Sequence, residues 1–355
     1  MTAVHVVVPA GVDDPGRPSG GNVYDRRVST GLTDLGWAVH EVAVPGSWPR
    51  PEPRDLFVLA GLLARIPDGA VVLLDGLIAS AAPEVLVPEA RRLDLVVLVH
   101  MPLGDGAAAR GETGVAARER AVLACATAVL VTSAWTRAWL VDRYALPPAR
   151  VHVARPGVDP AEVAPGTCSG QSLLCVATVT RTKGYDVLVA ALESLAPLPW
   201  RCLVVGSLAR DPRFVADLRA RVEEAGLAHR IRFSGPLSGT ELDTAYAAAD
   251  ALVLASRAET YGMVAVEALA RGVPVIATTA GGLPEAVGGD GARRLPGLLV
   301  PPGDHVPLAS ALRRWLGDPD LRHGLREAAR HRRAELPGWR DTTARIARVL
   351  AEVGT

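Results

Sequence analysis

Residues 256–269 read Ser-Arg-Ala-Glu-Thr-Tyr-Gly-Met-Val-Ala-Val-Glu-Ala-Leu and set two carboxylates, Glu259 and Glu267, on either side of Gly262. The apolar run 251–255 before them reads as a buried parallel strand. After Gly262 the periodicity is helical as far as Gly272, and a second strand-like run, 273–277, follows. A helix that opens on glycine after a strand presents bare backbone N–H groups, here around Tyr261, Gly262, Met263 and Val264, and these favour a phosphate. Glu259 then stands in the loop before the helix and Glu267 more than a turn inside it. At a rise of ~1.5 Å per residue the carboxylates are about 10 Å apart, too far to share a proton. They suit the two ends of an elongated ligand with a diphosphate between them, a nucleotide sugar. The plainer alternative is that acidic residues near a helix start stabilise its dipole, by ~0.3–1 kcal/mol, with no ligand at all.

Other residues bear on the same chemistry. Pro18-Ser19-Gly20-Gly21-Asn22 follows the first apolar run, and the pair Gly20 and Gly21 lets backbone approach a phosphate closely, although tight turns use the same residues. The strand-like run 94–99 ends at His100, at the carboxyl end of a central parallel strand, where open α/β sheets bind their ligands. There it can hydrogen-bond a sugar hydroxyl or orient an acceptor; a satisfied core histidine is the plain alternative. Between a third apolar run and a glycine-led helix lies Thr178-Val179-Thr180-Arg181-Thr182-Lys183-Gly184. Arg181 and Lys183 put cations where a leaving diphosphate gathers charge, which needs no metal.

Taken in order and spacing, these motifs resemble the retaining glycosyltransferases of family 4, and the resemblance runs from the Gly-Gly loop to Trp339. It implies the GT-B fold, α/β, with two doubly wound parallel-sheet (Rossmann-like) domains facing a cleft. It also implies that Glu259 contacts the donor sugar, Glu267 the ribose hydroxyls, and Gly20 and Gly21 the donor diphosphate from across the cleft. His100 would lie close to the transferred sugar. Lys183-Gly184 matches the family's Lys-Gly, but the family's arginine five residues before that lysine is Thr178 here, and Arg181 is the candidate substitute. Ala280-Gly281-Gly282-Leu283-Pro284-Glu285 resembles the family's turn behind the donor site, and 297–304 its second-domain architecture.

The composition narrows the partners. At 355 residues the chain is long enough for two domains, and 49% hydrophobic residues supply two cores. Lys plus Arg and Asp plus Glu are equal at 38 each, so no net field steers the chain to nucleic acid, and 4% aromatics make no base-stacking platform. Residues 1–9 lack a basic leader and no apolar stretch is long enough to span a bilayer, so the expectation is a cytoplasmic protein. The basic run 322–333 leaves peripheral membrane contact open, with a solvated helix face as the alternative. Cys125, Cys168, Cys175 and Cys202 have no CxxC spacing and read as free thiols, not a zinc site.

Strand-like runs at 5–8, 38–44, 71–74, 95–99, 128–131 and 151–154 alternate with helical periodicity, then break at a Pro/Gly-rich segment, 155–166. The alternation restarts at 173–177, 202–205, 231–233, 251–254, 273–277 and 298–300, and Ser238-Gly239-Thr240-Glu241 reads as a capping box. The expected domains are an acceptor-side domain over 1–162 and a nucleotide-sugar domain over 163–337. The amphipathic 338–355 is expected to return to the first, with a plain helix on the second as the alternative.

The function expected is metal-independent, cofactor-free transfer of a sugar, with retention, to the hydroxyl of a small-molecule or glycan acceptor. The donor expected is a nucleotide-diphosphate sugar, UDP before GDP. A nucleotide-sugar epimerase of the same fold and a catalytically silent sugar-nucleotide-binding protein are the competing readings.

Overall fold

The computed structural model describes residues 2–14, 19–107, 111–167, 169–288 and 294–354; Met1, Pro18 and Cys168 lie outside the described residues. Six apolar runs in the first half form one parallel sheet: β1 (Ala3–Pro9), β2 (Ala38–Val44), β3 (Val71–Asp75), β4 (Asp94–Val99), β5 (Ala128–Val131) and β6 (Val151–Val153). The order across the sheet is β2-β1-β3-β4-β5-β6. Between the strands run α1 (Gly20–Asp34), α2 (Pro53–Leu63), α3 (Gly76–Ala79), α4 (Pro83–Glu89), α5 (Val115–Cys125) and α6 (Ala134–Tyr144). Alternate strand residues enter opposite cores, Val72, Leu74, Leu95 and Val97 in one, Leu73, Val96 and Leu98 in the other. Both faces are therefore covered, which is why the strands read as continuous apolar runs.

The second half repeats the plan. Its strands are β7 (Ser172–Val176), β8 (Arg201–Val205), β9 (Ile231–Gly235), β10 (Ala251–Leu254), β11 (Val275–Thr278) and β12 (Gly297–Val300), in the order β12-β11-β10-β7-β8-β9. Its helices are α7 (Tyr185–Glu193), α8 (Pro212–Glu224), α9 (Gly239–Ala247), α10 (Met263–Ala270), α11 (Leu283–Val287), α12 (His305–Gly317) and α13 (Pro319–Arg333). Ser238 does stand at the start of α9, but its side chain makes no capping bond. Gly239 turns the backbone to φ +51° just beyond it, which takes the first amides out of line with the hydroxyl.

The chain divides into Met1–Gly157 with Pro337–Thr355, and Val158–Leu336. The division falls inside the Pro/Gly-rich segment 155–166, and residues past 157 pack on the second unit. Ala164 N–H donates to Arg271 O (2.8 Å), and Arg333 donates to Ala161 O (2.6 Å). The last helix, α14 (Trp339–Val353), packs on α1. Its Ile346, Val349 and Leu350 share a core with Tyr24, Val28 and Leu32, and Thr343 fills the space that Gly31 leaves open.

In each sheet the strand order reverses once, between β1 and β3 and between β7 and β10. Such reversals leave a crevice beyond the carboxyl ends of the strands.

Candidate functional site

Two loops meet over the reversal in the second unit. After β7 the chain makes a 3-10 turn, Arg181–Lys183, and enters α7 at Gly184. A Cβ at Gly184 would overlap the carbonyl of Ala255, so glycine is what lets this turn lie against the end of β10. From the other loop, Arg257 N–H donates to Thr182 O (2.8 Å). The Arg257 guanidinium donates to Arg181 O (2.8 Å) and forks onto Asp186 (2.7 Å to each oxygen). The two loops thus form one surface. On it Lys183 Nζ lies 2.5 Å from Glu259 Oε2. Behind Glu259, Gly282 N–H donates to its carbonyl (2.9 Å), and a Cβ at Gly281 or Gly282 would overlap the backbone of Glu259 or Thr260.

Gly262 (φ +99°) starts α10, no side chain caps that helix, and Tyr261 is buried beside it. The amides of Met263 and Val264 lie in the first turn. Further along, Glu267 accepts a hydrogen bond from Tyr246 Oη (2.9 Å). Arg271 lies over the Tyr246 ring at 4.5 Å and donates to Glu267 O (3.0 Å). Burial raises the Glu267 carboxyl above its ordinary value, with Tyr246 and Arg271 opposing. Thr178 is half-buried in the loop that leaves β7. Arg181 is exposed, its guanidinium 4.9 Å from the Phe214 ring and 3.9 Å from Asp217, both on α8.

In the first unit, Ser19 caps α1 by accepting from Asn22 N–H (3.1 Å). Gly21 lies directly against His100, where a Cβ would come within 3.3 Å of Cδ2. The His100 imidazole is held by two elements, α1 and the end of β3. Its Nε2 is 2.8 Å from Asp25 Oδ1 on α1 and 3.6 Å from Asp75 Oδ2 at the end of β3. The Tyr24 ring meets it edge-on at 5.2 Å. Both carboxylates are buried, and His100 is 14% exposed. Burial alone would lower the imidazole; the charge and hydrogen bond of Asp25, with Asp75, outweigh it and push His100 up to about 9. Burial, then the neighbouring Asp25 charge, pushes Asp75 up to about 7. These three side chains are the metal-compatible cluster among the described residues, their ligand atoms within 4.8 Å of one another. The 2.8 Å approach of Nε2 to Asp25 is that of a hydrogen-bonded ion pair.

The loop after His100 is tied down by Glu119 of α5. This fully buried carboxylate accepts from Leu103 N–H (2.8 Å), Gly104 N–H (2.9 Å), Ser80 Oγ (2.9 Å) and Tyr144 Oη (2.6 Å).

Residues 3–162 match the family model for Glycosyltransferase Family 4, and residues 170–332 that for Glycosyl transferases group 1. A D-inositol 3-phosphate glycosyltransferase of Catenulispora acidiphila is 32% identical over 76% of this chain and 67% of its own length. The chain belongs to glycosyltransferase family 4. Another D-inositol 3-phosphate glycosyltransferase, from Jonesia denitrificans, is 36% identical over 60% of this chain, a match that spans only 55% of the relative. Among solved structures, sucrose-phosphate synthase from Thermosynechococcus elongatus superimposes with a TM-score of 0.81 at 23% identity, covering 99% of both chains. Anabaena HepE in complex with UDP-glucose gives 0.77 at 17% identity, covering 99% of this chain and 100% of that one. These likenesses show the fold, GT-B with two Rossmann-like halves.

Of the residues singled out in this family 4 sequence, Lys183, Glu259, Tyr261, Gly262, Met263, Val264 and Glu267 gather on the second unit around β7, β10 and α10. Arg181 points to α8 instead, and Glu285 is buried in α11. Gly20, Gly21 and His100 gather on the first unit. The basic run is not a solvated face throughout: Arg322 donates to Trp315 O and Leu316 O, and Arg326 pairs with buried Asp250. No helix among the described residues is long and apolar enough to cross a membrane.

Sequence reasoning passed over Asp25, Asp75, Glu119, Tyr246 and Arg257. Asp75 carried the same signal as His100, a polar residue closing an apolar strand. Asp25 is i+4 from Gly21 and so shares its helix face. Tyr246 and Glu119 had no local signal.

Proposed function

We propose that this chain transfers a sugar, with retention, from a nucleotide-diphosphate donor to an acceptor hydroxyl, without a metal ion and with UDP preferred to GDP. The observation that carries this reading is the Lys183–Glu259 pair beside the open start of α10, with Glu267 held by Tyr246 further along the same helix. In the proposed complex the β-phosphate replaces Glu259 as the partner of Lys183. The ammonium and the amides of Met263 and Val264 stabilise charge that develops as the glycosidic bond breaks. Glu259, released from the lysine, turns to the sugar hydroxyls, and Glu267 takes the ribose. The fold shared with a HepE structure that holds UDP-glucose supports a uridine donor. On the first unit His100 orients the acceptor hydroxyl. The names of the relatives make D-inositol 3-phosphate the first acceptor to try.

The test is release of nucleoside diphosphate from a panel of UDP- and GDP-sugars, with and without acceptor and with EDTA present. Lys183→Ala is expected to lower transfer by ~10²–10³-fold, the usual cost of removing one such stabilising group. Arg181→Ala, whose guanidinium lies on Phe214, is expected to stay within a few-fold of wild type. Isomerised sugar without acceptor, or transfer that EDTA abolishes and Mg²⁺ restores, would overturn the reading.

A further inference from the structure

His100 is enclosed by groups from every element packed against it. Asp25, Tyr24 and Gly21 come from α1, and Asp75 from the end of β3. Its Nε2 lies between two buried carboxylates. The other ring nitrogen, Nδ1, has no hydrogen-bond partner among the described residues. The Tyr24 hydroxyl is turned away and donates to Ala154 O (2.8 Å), so it supplies the imidazole with neither a proton nor an acceptor. Asp75 is itself aimed by its second oxygen, which accepts from Leu77 N–H (2.6 Å). Asp25 Oδ2 is buried and makes no hydrogen bond among the described residues.

We propose that Asp25 and Asp75 are positioning residues that keep His100 an imidazolium, its Nε2–H committed to the carboxylates and its Nδ1–H the group that meets the acceptor oxygen. The proposal rests on the reading that His100 orients the acceptor, and it changes the chemistry open to that residue. A ring already protonated at both nitrogens cannot take the acceptor's proton. It donates a hydrogen bond and adds a fixed positive charge. Upward displacement of the His100 pKa, in which the charge and hydrogen bond of Asp25 together with Asp75 outweigh burial, agrees with this assignment.

The experiment has two independent readouts. In ¹⁵N-histidine-labelled protein, the His100 resonances, assigned by their loss in His100→Gln, report its charge directly and need no activity. We expect an imidazolium at pH 7.5 in wild type and a neutral ring at that pH in Asp25→Asn, titrating near or below the ordinary ~6.5. In the second readout, transfer by wild type stays level between pH 6.5 and 8. Transfer by Asp25→Asn falls by roughly tenfold per unit of pH once its imidazolium is lost. A general disturbance of the fold would lower the rate at all pH values without adding that slope. Asp75→Asn, expected to show the same change to a smaller degree, keeps the test open if Asp25→Asn does not fold. A neutral His100 in wild type at pH 7.5, or an unchanged pH profile in both variants, overturns the proposal. So does displacement of the His100 resonances by Mg²⁺, Mn²⁺ or Zn²⁺ added to wild type, which would assign the cluster to a cation. If wild type transfers sugar to no acceptor, the functional reading fails while the resonances still decide the charge of His100.

Discussion

Folding raises the pKa of two neighbouring groups in the first unit, Asp75 from 3.8 to about 7 and His100 from 6.5 to about 9. A group whose pKa rises on folding stabilises the fold fully below its unfolded value and loses that contribution as pH climbs through the folded one. For Asp75 the loss spans roughly pH 4 to 7, and for His100 roughly pH 6.5 to 9. Both losses run in the same direction. Melting curves should therefore show wild-type stability declining from pH 5 to 9, by several degrees. Asp75→Asn, which removes the carboxylate that burial penalises, should flatten the part below pH 7. A parallel decline in the two proteins would show that Asp75 is not the group responsible. His100, Lys183 and Glu259 were visible as candidates because each stands where a strand ends or a helix begins, and Glu267 because it follows Glu259 across Gly262 in one motif. Asp25 was not, because only the packing of α1 against β3 and β4 brings its carboxylate to the imidazole.

Among the elements, the loops that carry Lys183 and Glu259 owe their positions to glycines that touch backbone. At Gly282 an added Cβ would overlap Thr260 O, and nothing in a carbonyl can yield as a flexible side chain does. Gly282→Ala should displace the Glu259 loop, lower the melting temperature by several degrees and reduce transfer by an order of magnitude or more. Gly324 lies inside α13 with open space around its missing Cβ. There the same substitution should stabilise by ~0.5–1 kcal/mol, since alanine has less unfolded-state freedom to lose. If thermal melts ranked the two variants the other way, the close approach at Gly282 would not be what seats the loop. The Gly-Gly turn was legible as a motif, and its contact with Thr260 was not.

At the scale of the molecule, the first unit is completed by the end of the chain. Leu350 is fully buried against α1, and Trp339 meets Tyr24 edge-on at 5.6 Å. Tyr24 is also the ring against His100, so α14 supports the helix that holds the imidazole. Leu350→Ala should cost ~2–5 kcal/mol in urea unfolding of this unit, the usual range for a buried leucine. A cost below ~1 kcal/mol would mean that α14 is not an integral part of that core. The sequence alone determined the two doubly wound sheets, because strands covered on both faces must be apolar throughout and helices covering them must be apolar on one side. It also determined the glycine-led start of α10, since glycine at that position and a strand before it are local facts. What only the tertiary structure decided were pairings between residues far apart in the chain: Lys183 with Glu259, Tyr246 with Glu267, Asp25 and Asp75 with His100, and α14 with α1. Periodicity records which face of an element is buried, but the partner across the interface is set by the order of strands in the sheet, and no local pattern encodes that order.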